Sequence, residues 1–399
     1  EAGLIGVFLA LDLVLFFVFF EVVLVPMYFL IAEWGHDNRR YAATKFFLFT
    51  MTGSAFLFVG ILSVGFLHQQ AEGFLTFDSQ VLTEWAAGGG LSLGTSKWIF
   101  AAFAIAFAVK VPLFPFHTWL PDAHTDAPTA GSVILAGVLL KMGTYGFLRF
   151  ALPMFPQAAV DLAPVLLVAA VIGITYGAIV AAMQPNLKRI VAYSSVAHLG
   201  FVVLGTFALT QQSLQGGVFT MISHGLTTGA LFLLVGMLYE RRHTYELTDY
   251  KGLWKAIPVF GGLFVIAAFA SIGLPGFSGF VGEFLSLLGA FLTSRWYVVI
   301  ATTGVILAAV YLLWAVQRTV TGEPDGDNVG MKDVKLRELV TVVPLLGLSL
   351  FLGFYPNPVL DRVEPSIDKV IAQVEAGSDY EVPRIEPPVV EEAVEEEHE

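Results

Sequence analysis

Long apolar runs separated by short polar connections organise most of the chain. Because about 20 apolar residues are needed for a helix to cross a bilayer, this pattern predicts ten transmembrane spans. The predicted spans are residues 7–34, 43–68, 97–119, 128–152, 163–184, 188–209, 214–240, 257–292, 298–318 and 338–356. The predicted fold class is therefore an all-α polytopic membrane protein.

Two predicted spans are interrupted by helix-breaking residues. The third contains KVPLFPFHTWLPDA, with Pro112, Pro115 and Pro121, and the eighth contains SIGLPGFSGFVGEF, with Pro275 and several glycines. Proline removes a backbone donor and clashes with the preceding turn, and broken backbone at membrane depth persists only where protein or a water-filled cavity covers it. Each break alone has a simpler interpretation, a packing kink. The pair, in corresponding positions, indicates an inverted-repeat transporter.

The second break follows the first by five spans, which fits a duplicated five-helix unit, although direct similarity between the halves is faint. The predicted division is a first repeat at 1–152 with its N-terminal part missing, a second repeat at 153–322, a connecting loop with the last transmembrane helix at 323–360, and an outer-face segment with an acidic disordered tail at 361–399.

Composition supports the membrane class and limits the chemistry. Apolar residues make up 56% of the chain and charged residues 14%, whereas soluble domains average about 25% charged residues. Most of the net charge of −12 comes from the C-terminus, because the segment from Glu375 onward has ten acidic residues and one basic residue, Arg384. Net charge therefore implies no nucleic-acid partner. The absence of cysteine excludes disulfides and cysteine-ligated iron–sulfur clusters in this chain.

The distribution of Lys and Arg predicts an orientation. These residues concentrate in the connections after the first, fifth, seventh and ninth predicted spans, whereas the connection at 69–95 has Glu72, Asp78 and Glu84 and no Lys or Arg. The positive-inside rule places the basic connections in the cytoplasm and hence the acidic tail outside. The chain opens EAGLIG without Met or a basic leader region, so we expect further residues before Glu1.

Ionisable side chains recur inside the apolar runs, one per span over six spans. A charge at the bilayer centre costs about 2.5–3.5 kcal/mol on insertion scales, so such residues usually pair, face a wet interior or carry protons. A lone membrane histidine more often bonds to a neighbouring helix, but histidine titrates near neutral pH, and a series of acids and bases favours proton transfer. The series is Glu21, Lys110, Lys141, His198, His224 and Glu283.

This series suggests a switchable proton site. A lysine in a low dielectric binds its proton less tightly, and a nearby carboxylate restores the affinity. We therefore predict that Glu21 lies close to Lys110 and holds it charged, so that separating the two releases the proton. Ordered water between Lys141 and Glu283, by way of the two histidines, would pass the proton laterally.

Other features receive simpler interpretations. The segment PDAHTDAP, which follows His117 and contains His124, predicts a solvated turn and helix cap, with a role at a channel mouth as the alternative. No HExxH, GxSxG, phosphate-binding loop or dinucleotide-binding fingerprint occurs in a usable context. The sequence therefore indicates no bond-making chemistry.

Several long motifs are far more specific than hydropathy. They are EVVLVPMYFLIAEWGH, FAVKVPLFPFHTWLPDAHTDAPTAGSVILAGVLLKMGTYGFLRF, QPNLKRIVAYSSVAHLGF, HGLTTGALFLLVGMLYERRHT and LPGFSGFVGEFLSLLGAF. Through them the chain closely resembles the subunit M family of proton-translocating, antiporter-like membrane proteins of respiratory NADH:quinone oxidoreductase, complex I. The resemblance runs from residue 1 to about Leu360.

The resemblance implies a fourteen-helix antiporter-like subunit, of which four N-terminal helices, or most of them, are missing here. It implies an energy-transducing inner or plasma membrane as the location, and the other membrane-arm subunits of complex I, neighbouring antiporter-like subunits included, and membrane lipids as partners. The family holds no cofactor in this subunit, so FMN, the iron–sulfur clusters and quinone are expected in other subunits.

The resemblance also assigns roles to the buried series. Glu21 and Lys110 match the family's glutamate–lysine pair, and Lys141 matches its central lysine. The remaining matches are the two connecting histidines and the terminal acid of the second broken helix, His198, His224 and Glu283.

Three other interpretations stay open at this point. A subunit of a multisubunit Na+/H+ antiporter shares the Glu and Lys pattern, although YERRHTYELTDYKGLW and LGFYPNPVLD favour the subunit M family. A purely structural membrane scaffold predicts that neutral replacement of Lys110 and Glu283 is harmless to pumping. Complexes that accept electrons from ferredoxin would use the same mechanism.

Overall fold

The computed structural model describes residues 1–383, which are almost entirely helical. The helices are α1 Ala2–Leu9, α2 Leu13–Val22, α3 Leu24–Trp34, α4 Arg39–Glu72, α5 Ser79–Trp85, α6 Leu93–Lys110, α7 Trp119–Asp126, α8 Thr129–Met154, α9 Pro156–Ala182, α10 Leu187–Phe207, α11 Gln211–Arg242, α12 Leu253–Ala256, α13 Pro258–Ile272, α14 Ser278–Thr293, α15 Arg295–Val320, α16 Leu336–Phe354 and α17 Asn357–Ala376. Within residues 1–383, extended pairing is limited to two isolated bridges, Asp12 with Asp78 and Asn186 with Glu246.

The predicted membrane spans are confirmed as helices, with one difference in number. Within the described chain, nine segments are long and apolar enough to cross a membrane when α2 and α3 count as one. The eighth predicted span is instead the pair α13 and α14, with 15 and 16 residues. Neither half reaches the length of about 20 residues that a bilayer requires, so the two halves together make the tenth span.

Polar side chains at the helix starts explain where several helices begin. Asp12 accepts a hydrogen bond from the backbone N–H of Leu15 at 2.9 Å, which divides the first predicted span into α1 and the α2–α3 segment. Asn186 caps α10 in the same way through Arg189. Satisfying these exposed N–H groups sets the helix boundaries more sharply than hydropathy does.

The polar connections gather on two opposite faces. On the first, which we call the basic face, the loop at 35–38 meets the C-terminal end of α7, and the 183–186 connection pairs with the 243–250 segment. On the second, which we call the tail face, the 73–78 segment pairs with residues 11–13, and α17 packs against α11. The grouping agrees with the alternation of spans that the sequence predicts.

Both predicted helix breaks are present. The α6 helix ends at Lys110, and an irregular segment leads to α7 on the basic face. The α13 helix ends at Gly273 in the left-handed conformation (φ 80°), and α14 begins at Ser278. A side chain would be strained at Gly273, so this glycine lets the chain turn inside the bundle.

A helix, α17, follows the last span and extends into the predicted outer-face segment. Its apolar residues Ile367 and Val374 are buried, whereas its charged residues remain mostly exposed. The predicted disordered tail lies mainly outside the described residues, which end at 383.

Candidate functional site

Lys141 and His224 form a direct contact in the interior. The Lys141 ammonium lies 2.8 Å from His224 Nδ1 and also donates to the Ala136 carbonyl. Both side chains are buried. An ammonium group has only donors, so the imidazole Nδ1 accepts and its mobile proton belongs on Nε2.

Local backbone features produce this pair. A π turn at Leu135–Leu139 ends two residues before Lys141 and shifts the hydrogen-bonding register, so that the Leu140 N–H bonds to the Leu135 carbonyl. Such single π turns occur often at functional sites. The α8 and α11 helices also approach closely, because a Cβ at Gly225 would lie 3.1 Å from the Gly137 carbonyl oxygen. Glycine therefore allows the contact.

His198 and Glu283 form a second buried pair. His198 Nδ1 lies 2.6 Å from Glu283 Oε1, and both side chains are 7% exposed. An ionised carboxylate only accepts, so the Nδ1 atom of His198 carries the hydrogen. The α14 helix presents Glu283 to this site because it packs tightly on α11, where a Cβ at Gly282 would lie 2.4 Å from Thr220 Oγ1.

The two pairs are neighbours. The ring centroids of His198 and His224 are 6.0 Å apart, and the Nε2 atoms of both rings lack a hydrogen-bond partner among the described residues. Four of the six side chains predicted from the sequence, Lys141, His224, His198 and Glu283, thus form one row. We call these four side chains the central row.

Lys110 lies apart from the central row. It is the last residue of α6 and is 1% exposed. Its ammonium lies 4.2 Å from the centroid of the Phe20 ring. The carboxyl end of a helix and the face of an aromatic ring both attract a cation, so the fold stabilises the charge without a hydrogen bond.

The predicted Glu21–Lys110 pair interacts across space and not through a direct contact. Glu21 acts electrostatically on Lys110, but no ion pair of 4.0 Å or less joins them, and both Lys110 Nζ and Glu21 Oε1 lack hydrogen-bond partners in the described residues. Glu21 is also half-buried and not fully buried as its apolar surroundings suggested. The group that lies over the ammonium is the Phe20 ring.

Several further polar atoms around these groups are buried without a partner in residues 1–383. They include Thr228 Oγ1 and Ser271 Oγ, besides the lysine and histidine nitrogens already described. Buried polar atoms in proteins are almost always satisfied by protein or by ordered water. The interior around the central row is therefore suited to hydration.

Sequence reasoning missed a second buried cluster, which lies towards the basic face. Lys188, the first residue of the sixth predicted span, is 2% exposed and donates to the Ala127 carbonyl at 2.5 Å. His124 is fully buried, stacks on Phe232 with a centroid distance of 4.6 Å, and interacts electrostatically with Lys188 and Lys141. This cluster links the basic face with the central row.

The prediction that PDAHTDAP is a solvated turn was wrong. His117, His124 and Asp126 are all buried, and the Asp126 carboxylate accepts from the Asn38 N–H at 2.9 Å. The short α7 helix is folded back under the 35–38 loop, so its polar residues face protein. One feature of the sequence could have predicted this burial, namely the number of titratable residues directly beside a broken span.

The bend of the second broken helix also carries a chain of hydroxyl groups. Ser278 Oγ lies 2.8 Å from both Ser223 Oγ and Ser349 Oγ. This chain ties α14 to α11 and α16. Interhelical hydroxyl bonds of this kind stabilise membrane bundles modestly, so the chain helps to fix the helix that carries Glu283.

Comparison with known protein families gives a match over most of the chain. Residues 10–308 match the family described as NADH:quinone oxidoreductase/Mrp antiporter, TM. NADH-quinone oxidoreductase subunit M of Rhodobacter capsulatus is 45% identical over 384 residues, which cover 94% of this chain and 74% of that protein. The Pseudomonas aeruginosa subunit M is 48% identical, over 90% of this chain and 71% of that protein.

Solved structures give the same result for the fold. A chain of respiratory complex I from Thermus thermophilus with bound NADH superposes with a TM-score of 0.86 at 35% identity, covering 93% of this chain and 77% of that one. A chain of the Mrp complex from Dietzia sp. has a TM-score of 0.82 at 21% identity, covering 94% of this chain and 78% of that one. The second likeness concerns the fold alone.

Proposed function

The chain belongs to the NADH:quinone oxidoreductase/Mrp antiporter family and, within it, to the NADH-quinone oxidoreductase subunit M proteins, and from this membership we propose how its buried side chains carry protons. It is an integral membrane protein and a proton-translocating subunit of the membrane arm of NADH:quinone oxidoreductase, where its partners are other membrane-arm subunits. Redox cofactors are proposed to lie in other subunits, and the basic face is proposed to lie in the cytoplasm.

The proposed route uses the six buried ionisable residues in two parts. The first part is Lys110 with Glu21, and the second is the central row from Lys141 to Glu283. The observation that carries the proposal is the continuity of the row, with contacts of 2.8 Å and 2.6 Å at its two ends. Each contact joins a group that can donate a proton to a group that can accept one.

The gap between the two histidine rings is the proposed point of water-mediated transfer. Both Nε2 atoms face no protein partner in the described part of the chain, and rings whose centroids are 6.0 Å apart do not bond directly. A bridging water makes a hydrogen bond nearly as favourable as a direct one. A proton that leaves Lys141 would thus reach Glu283 by way of both histidines.

Lys110 is proposed to act as the switch of the first part. Its charge is held by a helix end, an aromatic ring and a carboxylate that does not touch it. Such a weakly held charge responds to a small change in the position of Glu21. A signal from quinone reduction elsewhere in the complex would move this carboxylate and so change the protonation of Lys110.

The decisive experiment replaces Lys141 in the whole complex. In reconstituted vesicles, Lys141→Ala is expected to reduce proton pumping about tenfold or more. The central row loses its only ammonium, and the surrounding apolar interior supplies no other charged group in its place. Lys251→Ala is the matched control, since Lys251 is exposed and pairs with Asp325 on the basic face. Unchanged pumping by the Lys141 variant, in a complex that assembles normally, would refute the relay.

A role in a multisubunit Na+/H+ antiporter is less well supported. The relatives at 45% and 48% identity are subunit M proteins, whereas the Mrp likeness at 21% identity speaks for the fold only. Co-purification tests the assignment. Purification through a tag on this chain is expected to bring down peripheral subunits with flavin and iron–sulfur absorbance, and recovery of antiporter subunits in their place would overturn it.

A further inference from the structure

A cavity of about 530 Å³ opens on the tail face, away from the central row. It lies between α8, α11 and α17, with α5 and the end of α1 on its remaining side, and its apolar wall includes Leu148, Leu214, Val218 and Met221. Its volume falls within the range of about 300–1,000 Å³ that is typical of binding sites for small molecules. Tyr145, one helical turn from Lys141, also contributes to the wall.

Three basic residues line the same cavity, Arg149, Arg362 and Lys369. None of them forms an ion pair with a carboxylate in residues 1–383, whereas eight ion pairs are present elsewhere in that range. The acidic residue in the lining is Glu84. The lining thus combines three basic side chains and one acidic side chain with an apolar wall.

The α17 helix explains how this charge arises. It is amphipathic, it follows the last membrane span directly, and its apolar side packs on the bundle, as is typical of a helix lying in the membrane interface. Two of its acids, Glu364 and Asp368, bond to the Gln211 amide, while Arg362 and Lys369 line the cavity. The helix therefore holds its acids and its bases in different contacts.

We propose that this cavity binds an anionic phospholipid, with an acyl chain between α8 and α11 and the phosphate against Arg149, Arg362 and Lys369. Arginine and lysine both bind phosphate oxygens, and arginine does so in a bidentate geometry. Each basic residue near a membrane surface adds attraction for anionic lipid. A zwitterionic phospholipid fits the same wall but gains less from the three cations.

The test uses the whole complex in vesicles that contain a small fraction of phosphatidylglycerol with a photoreactive diazirine in its acyl chain. After illumination, mass spectrometry is expected to find labels on the peptide with Leu214, Val218 and Met221. Excess unlabelled phosphatidylglycerol is expected to displace this label, whereas phosphatidylcholine and inorganic phosphate are not. This arm needs no mutation.

A charge-reversed variant tests the headgroup contact. Arg362→Glu with Lys369→Glu is expected to lower labelling of the cavity about tenfold or more, since each basic residue contributes severalfold to anionic lipid binding. The matched control reverses two exposed lysines of the basic face, Lys251→Glu with Lys255→Glu, and leaves the label unchanged.

Two results would overturn the proposal. Equal labelling by photoreactive phosphatidylcholine and phosphatidylglycerol would mean that the site does not recognise the headgroup. Labelling of the exposed side of α15, at Ile306 and Val310, without labelling of the cavity would mean that no lipid enters it and that a protein segment fills the space.

Discussion

The two broken helices carry their charged residues in different ways. At the first break, Lys110 ends a helix with no hydrogen-bond partner in the described chain. At the second, Glu283 lies five residues into α14 and bonds to His198 at 2.6 Å. One break thus holds a charge by diffuse electrostatic attraction, and the other holds it in a short, directional contact.

Because of this difference, the charge of Lys110 is sensitive to small movements of its neighbours, whereas the position of Glu283 is fixed by its hydrogen bond. The free energy of a charge held without a hydrogen bond depends on distance and dielectric, so small movements of Glu21 alter it. A short, charge-assisted hydrogen bond keeps its geometry more firmly. We infer that the first break responds to a signal, whereas the second one conducts.

The largest effect is expected from removal of the carboxylate that compensates Lys110. Glu21→Gln leaves a buried ammonium without an acidic neighbour, at a cost of about 2.5–3.5 kcal/mol if it stays charged. Proton pumping by the complex in vesicles is expected to fall about tenfold or more. Glu33→Gln, an exposed acid further along the same membrane segment, is the control and should pump normally.

A double-mutant cycle sharpens this prediction. If Glu21 acts only through Lys110, then Lys110→Met lowers pumping by about the same factor as Glu21→Gln, and the double variant falls no further, as coupled residues behave. Independent, additive losses would contradict the assignment of both residues to one switch.

Glu283→Gln is expected to have a comparable effect, a loss of pumping of about tenfold with the complex intact. The amide oxygen still accepts from His198 Nδ1 and keeps the local geometry, but an amide cannot take up and release the proton that the carboxylate receives. Glu338→Gln is a matched control, because Glu338 is also a buried acid paired with a base, Arg241, at 2.8 Å. Breaking that pair should lower the thermal stability of the complex and leave the pumping rate per assembled complex unchanged. The reverse pattern in these two variants would break the comparison.

Gly225→Ala tests the contact between Lys141 and His224, because it moves α8 slightly away from α11. The added methyl would lie 3.1 Å from the Gly137 carbonyl oxygen, so α8 and α11 must separate by a few tenths of an ångström. We expect about a twofold loss of pumping, since a lengthened hydrogen bond weakens but persists. Gly229→Ala, with open space around its Cβ position, should have no effect.

The smallest effect concerns His36, which lies in a loop of the basic face and bonds to Tyr245 at 3.0 Å. Burial, and secondly the charge of Lys188, lower the pKa of His36 from 6.5 to about 4. The folded loop therefore favours neutral imidazole, and its stability is present above pH 6.5 and declines as the pH falls towards 4.

The protection factor of the 35–38 amides in the purified complex, which is the exchange rate corrected for the intrinsic pH dependence of amide exchange, should therefore fall on acidification over that range. His36→Gln should remove this pH dependence while pumping at pH 7 stays near normal, because the imidazole it replaces is uncharged there. A large pumping defect at pH 7 would place His36 on the proton path.

Much of the fold followed from the sequence alone. Hydrocarbon requires about 20 apolar residues per span, so the spans stand out as runs, and the cost of a buried charge makes Lys110, Lys141 and Glu283 stand out within them. Proline and glycine marked both breaks. The division into two repeats and the roles of the six residues remain predictions.

Tertiary structure decided which of these groups touch. Lys141 contacts His224 across 83 residues of sequence, and His198 contacts Glu283 across 85. These contacts depend on a π turn and on close helix approaches that no local pattern encodes. Burial of Lys188 and His124 depends likewise on how α7 folds back. Hydropathy depends on residues near in sequence, whereas proton transfer depends on distances of a few ångströms between side chains on different helices.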